Sequence, residues 1–365
     1  METAGAAIPS GSQTLHVCGA FERNGYTLDV DVRASSDELL VVVGPNGAGK
    51  STLFAIVTGL LRLTRGHLSF GEQLWDAPNR QVFVEAAQRD IGAVFQDGRL
   101  FEHLNVLANV AFGLRARGKS RSAAHASAHD VLARLQIGEL ADRQVGELSG
   151  GQIQVVALAR ALAIKPSMLL LDEPLAALDV GARAAMRVAI RVAAETIEGP
   201  TILITHDPYE ALTLADRLVV LEAGRVVQSG SVAEVRRSPR SRYVAEFLGS
   251  NVFQGVCDAT VFRGDDGVQF AVVGDIESGS ATAVIEPRSV SLHRARPDTS
   301  ARNVWEMRVV GIDDDGSGRL RVHLDGPLRL TGEVTPGAVR ELALQSNDFV
   351  WVSVKATDIR VEPRA

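Results

Sequence analysis

One short stretch constrains this chain more than any other: a glycine-rich loop between an apolar run and a helix-like segment. The apolar run covers 39–43, the helix-like segment covers 53–60, and the loop between them reads Gly44-Pro45-Asn46-Gly47-Ala48-Gly49-Lys50-Ser51-Thr52. A buried strand that enters such a loop and leaves it as a helix points successive backbone N–H groups and the positive helix end at one anion. The stretch therefore predicts a site for the phosphates of a nucleoside triphosphate.

Two side chains of this loop are predicted to act on the nucleotide directly. Lys50 would reach the β- and γ-phosphates, and the Ser51 hydroxyl would hold Mg²⁺. The alternative is an ordinary glycine-rich turn, which the strand before and the helix after argue against. The chain has no Asn-Lys-x-Asp motif for reading guanine, and its absence disfavours a GTPase.

Composition excludes several other classes of protein. The 365 residues predict two or three domains, and the formal net charge of −6 disfavours a nucleic-acid partner. The two cysteines, Cys18 and Cys257, are far apart in sequence, which argues against a disulfide framework and a zinc site and favours a reducing cytosol. The polar N-terminus is not expected to be a signal peptide, and the chain has no apolar run of about 18 residues. We expect a protein that does not itself cross a membrane.

The pattern along the chain predicts an α/β domain followed by an all-β domain. Strands alternate with helices over residues 14–249, which indicates a mostly parallel sheet with a helical insertion at about 97–150. Beyond Ser250 short strands and turns predict a β-domain over 251–365. The segments 283–292 and 352–361 resemble each other. This repeat favours a small five-stranded barrel of the oligonucleotide/oligosaccharide-binding type, with one full copy and one partial copy.

An acidic pair follows the apolar run 168–171. Side chains alternate along a strand, so Asp172 and Glu173 are expected to leave its end in different directions. Asp172 suits the magnesium shell beside Ser51, and Glu173 would orient or deprotonate the attacking water. A solvated strand end is the alternative, and the preceding phosphate loop argues against it.

A second anion site is predicted where another helix begins. The stretch Leu148-Ser149-Gly150-Gly151-Gln152 places an N-capping serine and bare glycine N–H groups at a positive helix end. One triphosphate does not need two such sites. Both are used if two copies pack head-to-tail under two-fold symmetry, so that the second site of each copy binds the γ-phosphate held by the loop of the other.

These motifs together resemble the ATP-binding subunit of an ABC transporter over about 14–249. They occur in that family's order: phosphate loop, Gln96, 148–152, Asp172-Glu173, Leu178-Asp179 and His206. The resemblance implies ATP and Mg²⁺ as cofactors, a homodimer, and two membrane permease subunits bound at the cytoplasmic face of the membrane. It also implies an extracytoplasmic binding protein as an indirect partner.

The same resemblance implies roles for single residues. Gln96 would contact Mg²⁺ or water and carry the signal to the permease, and Asp179 would contact the opposite subunit. His206 would hold the γ-phosphate, and Phe21 would stack on adenine. Taken alone, Gln96 and His206 are ordinary polar residues at strand ends, and Phe21 fits the core equally well.

Two positions depart from the family pattern. Val155 stands where the family usually has Arg, and Ala176 stands where Ser is frequent. Neither change removes a group expected to contact phosphate, so ATP hydrolysis remains the prediction.

Residues of about 299–363 resemble the small β-barrel that binds molybdate in transport-associated proteins. Ser300, Arg302 and Lys355 would donate to a tetrahedral dianion. The run 94–104 also resembles the molybdate-importer branch of the family. A purely structural barrel with solvated Arg302 and Lys355 is the alternative.

The overall interpretation is an ATPase that energises import of an oxyanion, and molybdate is the first candidate for that oxyanion. Importers of sulfate, iron or a polyamine remain open within the class. A soluble ABC-type ATPase acting on nucleic acid or ribosomes, and a regulatory oxyanion sensor, are the alternatives from other classes.

Overall fold

The computed structural model describes residues 13–176, 178–265, 267–273, 278–314 and 318–363. The residues for which the absence of a signal peptide is predicted lie outside these ranges, apart from residue 13. The chain forms two compact units that divide between Ser238 and Pro239. Among the helices of the described ranges, none combines the length and apolar character that a membrane span needs.

The first unit alternates strands and helices, as predicted. Its strands are β1 (Leu15–Arg23), β2 (Tyr26–Ala34), β3 (Leu39–Val43), β4 (Arg65–Phe70), β5 (Gln73–Ala77), β6 (Val82–Phe83), β7 (Ile91–Val94), β8 (Met168–Asp172), β9 (Thr201–Ile204), β10 (Arg217–Glu222) and β11 (Arg225–Gly230). Its helices are α1 (Lys50–Val57), α2 (Val106–Ala116), α3 (Arg121–Arg134), α4 (Gly150–Ala163), α5 (Val180–Thr196), α6 (Pro208–Leu214) and α7 (Val232–Arg237).

These strands form one mixed sheet in the order β6-β5-β4-β1-β2-β11-β10-β3-β9-β8-β7. The strands β10, β3, β9, β8 and β7 run parallel to one another. The strands β6, β5, β4, β1 and β2 form an antiparallel arm. The prediction of a mostly parallel sheet is therefore wrong for this arm. Tight turns link β1 to β2 and β4 to β5, whereas a parallel connection needs a crossover of a dozen or more residues.

The parallel strands position the site. All five residues of β3 are buried, which is typical of a strand covered on both faces. The phosphate loop follows β3. Asp172 ends β8 and Glu173 follows it, and His206 and Gln96 come after β9 and β7. Carboxyl ends of neighbouring parallel strands meet at one edge of the sheet, where α/β proteins bind ligands.

The helical insertion has a core of its own. Helices α2, α3 and α4 pack through a cluster that includes Val110, Leu132 and Val156. Asn105 caps α2 and Ser120 caps α3, each by accepting a bond from a backbone N–H three residues later. Helices α2 and α3 lie within the predicted block, and α4 begins at Gly150 directly after the capping Ser149.

The second unit is mostly β-structure. Its elements are α8 (Arg242–Phe247), β12 (Asn251–Asp258), β13 (Val261–Gly264), β14 (Gln269–Ala271), β15 (Gly279–Ile285), β16 (Ser291–His293), β17 (Asn303–Asp314), β18 (Leu320–Asp325), β19 (Leu330–Val334), α9 (Pro336–Glu341), β20 (Phe349–Val354) and β21 (Ile359–Pro363).

The repeat in this unit is complete in both halves. The described strands form two five-stranded sheets, β14-β13-β12-β15-β21 and β19-β18-β17-β20-β16. Each half donates its last strand to the sheet of the other half, so β16 pairs with β20 and β21 pairs with β15. The prediction of one full and one partial copy is therefore wrong, because the exchanged strand completes each sheet.

Two buried asparagines reinforce this exchange. Asn251, at the start of β12, bonds the backbone N–H and C=O of Thr331 on β19. Asn303, at the start of β17, bonds the backbone N–H and C=O of Ala271 on β14. Each half thus clamps the third strand of the other, which satisfies buried polar groups that would otherwise be costly.

Candidate nucleotide site

A polar cleft of about 620 Å³ lies at the carboxyl edge of the parallel strands. The residues that line it are Tyr26, Asn46, Gly47, Ala48, Gly49, Lys50, Ser51, Thr52, Gln96, Glu173 and His206. Residues far apart in sequence therefore meet in one space large enough for a nucleotide, because pockets that bind small molecules are typically about 300–1,000 Å³.

The phosphate loop is closed around Lys50. The Lys50 Nζ donates to the carbonyl oxygens of Gly44 at 2.6 Å and Pro45 at 3.1 Å, and the residue is 7% exposed. Burial lowers the pKa of Lys50, and the carboxylates of Glu173 and Asp172 oppose that change. A phosphate would offer this buried ammonium a partner of full opposite charge in place of two carbonyls.

Gly49 is required by its surroundings as well as by its backbone. Its φ is 109°, and a Cβ at this position would lie 2.3 Å from the hydroxyl of Tyr26. An L-residue with a side chain is therefore excluded on both conformational and steric grounds. Helix α1 begins at the next residue, so its first N–H groups face the cleft.

The acidic pair lies beside the loop. Burial raises the pKa of Asp172 to about 6, Glu173 adds to the rise, and Lys50 and Arg99 oppose it. Glu173 has a φ of 47°, a left-handed conformation that costs a residue with a Cβ about 1–2 kcal/mol. Such strain is found at functional sites, and here it occurs at the residue whose carboxylate lines the cleft.

His206 is held next to Glu173. Its Nδ1 lies 3.1 Å from Glu173 Oε1. On either side of it, Thr205 donates its hydroxyl to the buried Glu210 at 2.5 Å, and Asp207 caps α6. The carboxylate and the imidazole thus converge on the space above the phosphate loop, and Glu210 bonds the residue that precedes His206.

Gln96 lines the cleft on a loop that α4 holds in place. Gln154 is 3% exposed and donates to the backbone oxygen of Gln96 at 2.6 Å. Arg160 donates to the backbone oxygens of Arg99 at 2.7 Å and Gly98 at 2.9 Å. The helix that begins at Ser149 is therefore tied to the Gln96 loop by two side chains. In the sequence, this contact is signalled by a glutamine, Gln154, within the otherwise apolar stretch 153–159.

The predicted second anion site has the expected local geometry. Ser149 caps α4 by accepting from the N–H of Gln152, whose side chain bonds back to the N–H of Ser149. Ser149 and Gly150 are exposed, and residues 149–152 are not among those lining the cleft of their own chain. A Cβ on Gly151 would lie 3.1 Å from the Cβ of Ala182, so α5 packs closely against this helix start.

Several predicted residues lie outside the cleft lining. Asp179 is exposed and caps α5 by accepting from Ala182 N. Phe21 packs against the core of the first unit. Tyr26, which no sequence motif indicated, lines the cleft, and Phe21 does not. Burial raises the pKa of the Tyr26 hydroxyl, and its neighbour Thr52 opposes that rise.

The two positions that depart from the family pattern do not face the cleft. Val155 is half-buried on α4, and Ala176 donates its backbone N–H to the carbonyl oxygen of Glu173. Neither side chain is part of the cleft lining.

The predicted oxyanion ligands belong to the second unit. Ser300, Arg302 and Lys355 are exposed. Asn303 pairs with Val354 in the β17–β20 register, so Arg302 and Lys355 come directly before and after one cross-strand pair. The structure therefore brings these two cations to the same end of one antiparallel strand pair.

Comparison with known proteins agrees with this geometry. A model of the family described as ABC transporter matches residues 28–176, and a model of the TOBE domain matches residues 299–361. The molybdenum import ATP-binding protein ModC of Mycobacterium tuberculosis is 38% identical over 348 residues, covering 92% of this chain and 94% of that protein. The chain belongs to the ATP-binding proteins of the ABC transporter family. Its TOBE domain coincides with the second half of the repeat.

A second relative and a solved structure are also similar to this ABC protein. The sulfate/thiosulfate import ATP-binding protein CysA of Burkholderia mallei is also 38% identical, over 342 residues, with 92% of this chain and 94% of that protein covered. The crystal structure of a nucleotide-free ATP-binding cassette from an ABC transporter matches with a TM-score of 0.56 at 25% identity. That match covers 65% of this chain and 98% of the other.

Proposed function

We propose that this chain hydrolyses ATP in the cleft. Two copies close on ATP and thereby drive import of an oxyanion through a membrane permease. We propose molybdate as that oxyanion. The observation that carries the proposal is the division of the anion-binding groups. Lys50, Gln96, Glu173 and His206 share one cleft, whereas the helix start at Ser149 is exposed and apart from it.

Each residue of the cleft has a separate task in this proposal. Lys50 and the loop N–H groups bind the phosphates, and Glu173 orients or deprotonates the attacking water. His206, held against Glu173, donates to the γ-phosphate. Ser51, Gln96 and Asp172 offer the oxygen donors that Mg²⁺ prefers, and the ion would neutralise phosphate charge.

The second copy supplies what one chain lacks. The exposed Ser149 and Gly150, with the half-buried Gly151, present a hydroxyl and a positive helix end to the γ-phosphate held by the partner. Since Gln154 and Arg160 tie the same helix to the Gln96 loop, closure of the pair would move that loop. Hydrolysis and release would let the two copies part.

The pairing predicts complementation between two inactive proteins. Lys50→Ala disables the loop, and Ser149→Arg fills the helix start with a bulky cation. Each alone should lack ATPase activity, but a mixed dimer retains one intact loop facing one intact helix start. A mixture of the two is expected to regain up to about one quarter of wild-type activity, because half of the dimers are mixed and each has one working site. Mixing Lys50→Ala with itself is the control, and a site complete within one chain would show no recovery.

The permease is proposed to dock beside the Gln96 loop. Phe112 is 46% exposed on α2 and packs against Phe101 with ring centroids 4.4 Å apart, and Leu60 is 55% exposed. Asn109 fixes the turn before α2 by bonding the N–H and C=O of Phe101. Apolar groups at the surface of a fixed turn are typical of an interaction site.

The choice of molybdate depends on the second unit and on the run 94–104, since ModC and CysA are equally similar in identity. The two halves of the repeat differ in charge at equivalent positions. Lys355 and Glu286 have the same backbone angles, φ −71° and ψ 139°, at the start of matching turns. Glu286 forms ion pairs with Arg288 and Arg360, whereas Lys355 at the equivalent position is a cation and follows the strand pair that Arg302 precedes.

Replacing either Arg302 or Lys355 should weaken oxyanion binding. In the full chain, Lys355→Glu, which copies the residue of the other half, and Arg302→Ala are each expected to weaken molybdate binding at least about 10-fold, because bonds from charged donors contribute about 1.5–3 kcal/mol. Isothermal titration with molybdate, repeated with sulfate as competitor, measures this. Arg329→Ala, whose side chain is 92% exposed, is the control. Unchanged binding in the variants, or none in the wild type, would contradict the assignment.

A further inference from the structure

A cluster of metal-binding side chains lies on the outer face of the antiparallel arm. His16, Cys18 and Asp31 each offer one ligand atom, and these atoms lie within 4.8 Å of one another. The Nε2 of His16 is 2.8 Å from the Oδ1 of Asp31. Among the described residues, no second group of three His, Cys, Asp or Glu ligand atoms lies this close together. None of the three lines the nucleotide cleft.

The strand register explains why these side chains meet. Cys18 on β1 lies directly opposite Asp31 on β2 and directly opposite His67 on β4. His16 is two residues before Cys18 and so shares its face, and its ring centroid is 5.0 Å from that of His67. Directly opposed residues on antiparallel strands have Cβ atoms about 4.5–5.5 Å apart. The 4.8 Å spacing joins His16, Cys18 and Asp31, and His67 on the third strand lies beside this group as a fourth potential ligand.

The donor set has a definite chemical preference. Two imidazoles, a thiol and a carboxylate suit a borderline divalent ion of the zinc class, whereas Mg²⁺ prefers oxygen donors alone. Ligand bonds of about 2.0–2.3 Å would need the side chains to rotate inward on a fixed sheet. The side chain of Asp31 is 62% exposed and that of His16 13%, so the cluster is open to solvent on one side. Arg33 lies across from His16 in the strand register, and its positive charge disfavours a bound cation. The negative charges of Asp29 and Asp31 offset that repulsion.

We propose that His16, Cys18, Asp31 and His67 form a binding site for a zinc-class divalent metal ion, separate from the nucleotide site. Binding releases the thiol proton of Cys18 to solvent as the metal–sulfur bond forms. The two cysteines are far apart in sequence, and that spacing argued against a zinc site. The proposed ligands instead come from three different strands that the sheet brings together.

Cobalt titration of the full chain tests this site. Co²⁺ is added to nucleotide-free protein in excess Mg²⁺, which occupies oxygen-rich sites. Wild type should develop a thiolate-to-cobalt charge-transfer band and the intense visible bands of tetrahedral Co²⁺, and Zn²⁺ should displace both. Cys257→Ala, which removes the buried cysteine of the second unit, should retain these bands, and Cys18→Ala should lose the charge-transfer band. His16→Ala and His67→Gln should each weaken Co²⁺ binding more than about 10-fold.

Three outcomes would overturn the proposal: no charge-transfer band in wild type, a band that persists in Cys18→Ala, or Co²⁺ affinity unchanged by both histidine substitutions. His16 and His67 are not fully buried, so their variants provide the test even if Cys18→Ala does not fold. Far-ultraviolet circular dichroism of the metal-free variants separates a folding defect from loss of a ligand.

Discussion

Replacing Glu173 with Gln is expected to lower ATP turnover by about 100- to 10,000-fold, the range that a positioned general base contributes, while ATP binding is retained. The amide keeps the shape of the side chain and removes the negative charge that orients or deprotonates the attacking water. The His206 Nδ1 contact at 3.1 Å is also weakened, because the acceptor is no longer a carboxylate. Since ATP binds but is not cleaved, the closed pair should accumulate.

Two measurements check this prediction. Phosphate release gives the rate, and size-exclusion chromatography with ATP and Mg²⁺ should show a dimer for Glu173→Gln that wild type forms only transiently. Glu72→Gln, at an exposed position between β4 and β5, is the matched control and should behave as wild type. If transport proceeded normally in Glu173→Gln, ATP turnover would be incidental and a regulatory oxyanion sensor would be the better interpretation.

Replacing Lys50 with Ala is expected to weaken ATP binding by at least about 100-fold, the loss of two charged hydrogen bonds at about 1.5–3 kcal/mol each. The ammonium is buried beside two carboxylates, and its bonds to Gly44 and Pro45 are available for exchange with phosphate oxygens. Nucleotide titration followed by calorimetry measures the change. Lys119→Ala, at an exposed position after α2, is the control. Equal affinity in Lys50→Ala and wild type would show that the nucleotide binds elsewhere.

Local chemistry made much of the site predictable. The phosphate loop, the cap at Ser149 and the acids at the end of β8 are each set by a few adjacent residues. The structure has a helix beginning at Lys50 and a capping Ser149, as predicted. Parallel strands then bring Gln96, Glu173 and His206 to one edge without further information.

What the sequence left out depends on contacts between distant segments. Gln154 and Arg160 bond the Gln96 loop from 58 or more residues away in sequence, and Tyr26, the first residue of β2, lines the cleft. The exchange of β16 and β21 and the meeting of Cys18 with Asp31 and His67 follow from strand register. Register across neighbouring strands is set by the whole sheet, so no single segment announces it.

A crystal structure of Glu173→Gln with ATP and Mg²⁺ tests the pairing of the two anion sites most directly. The result we predict is a two-fold pair in which Ser149 Oγ and Gly151 N of one copy lie within about 3.2 Å of the γ-phosphate bound to Lys50 of the other. A nucleotide-loaded structure in which Ser149 and Gly151 face solvent, or meet the nucleotide of their own chain, would contradict it.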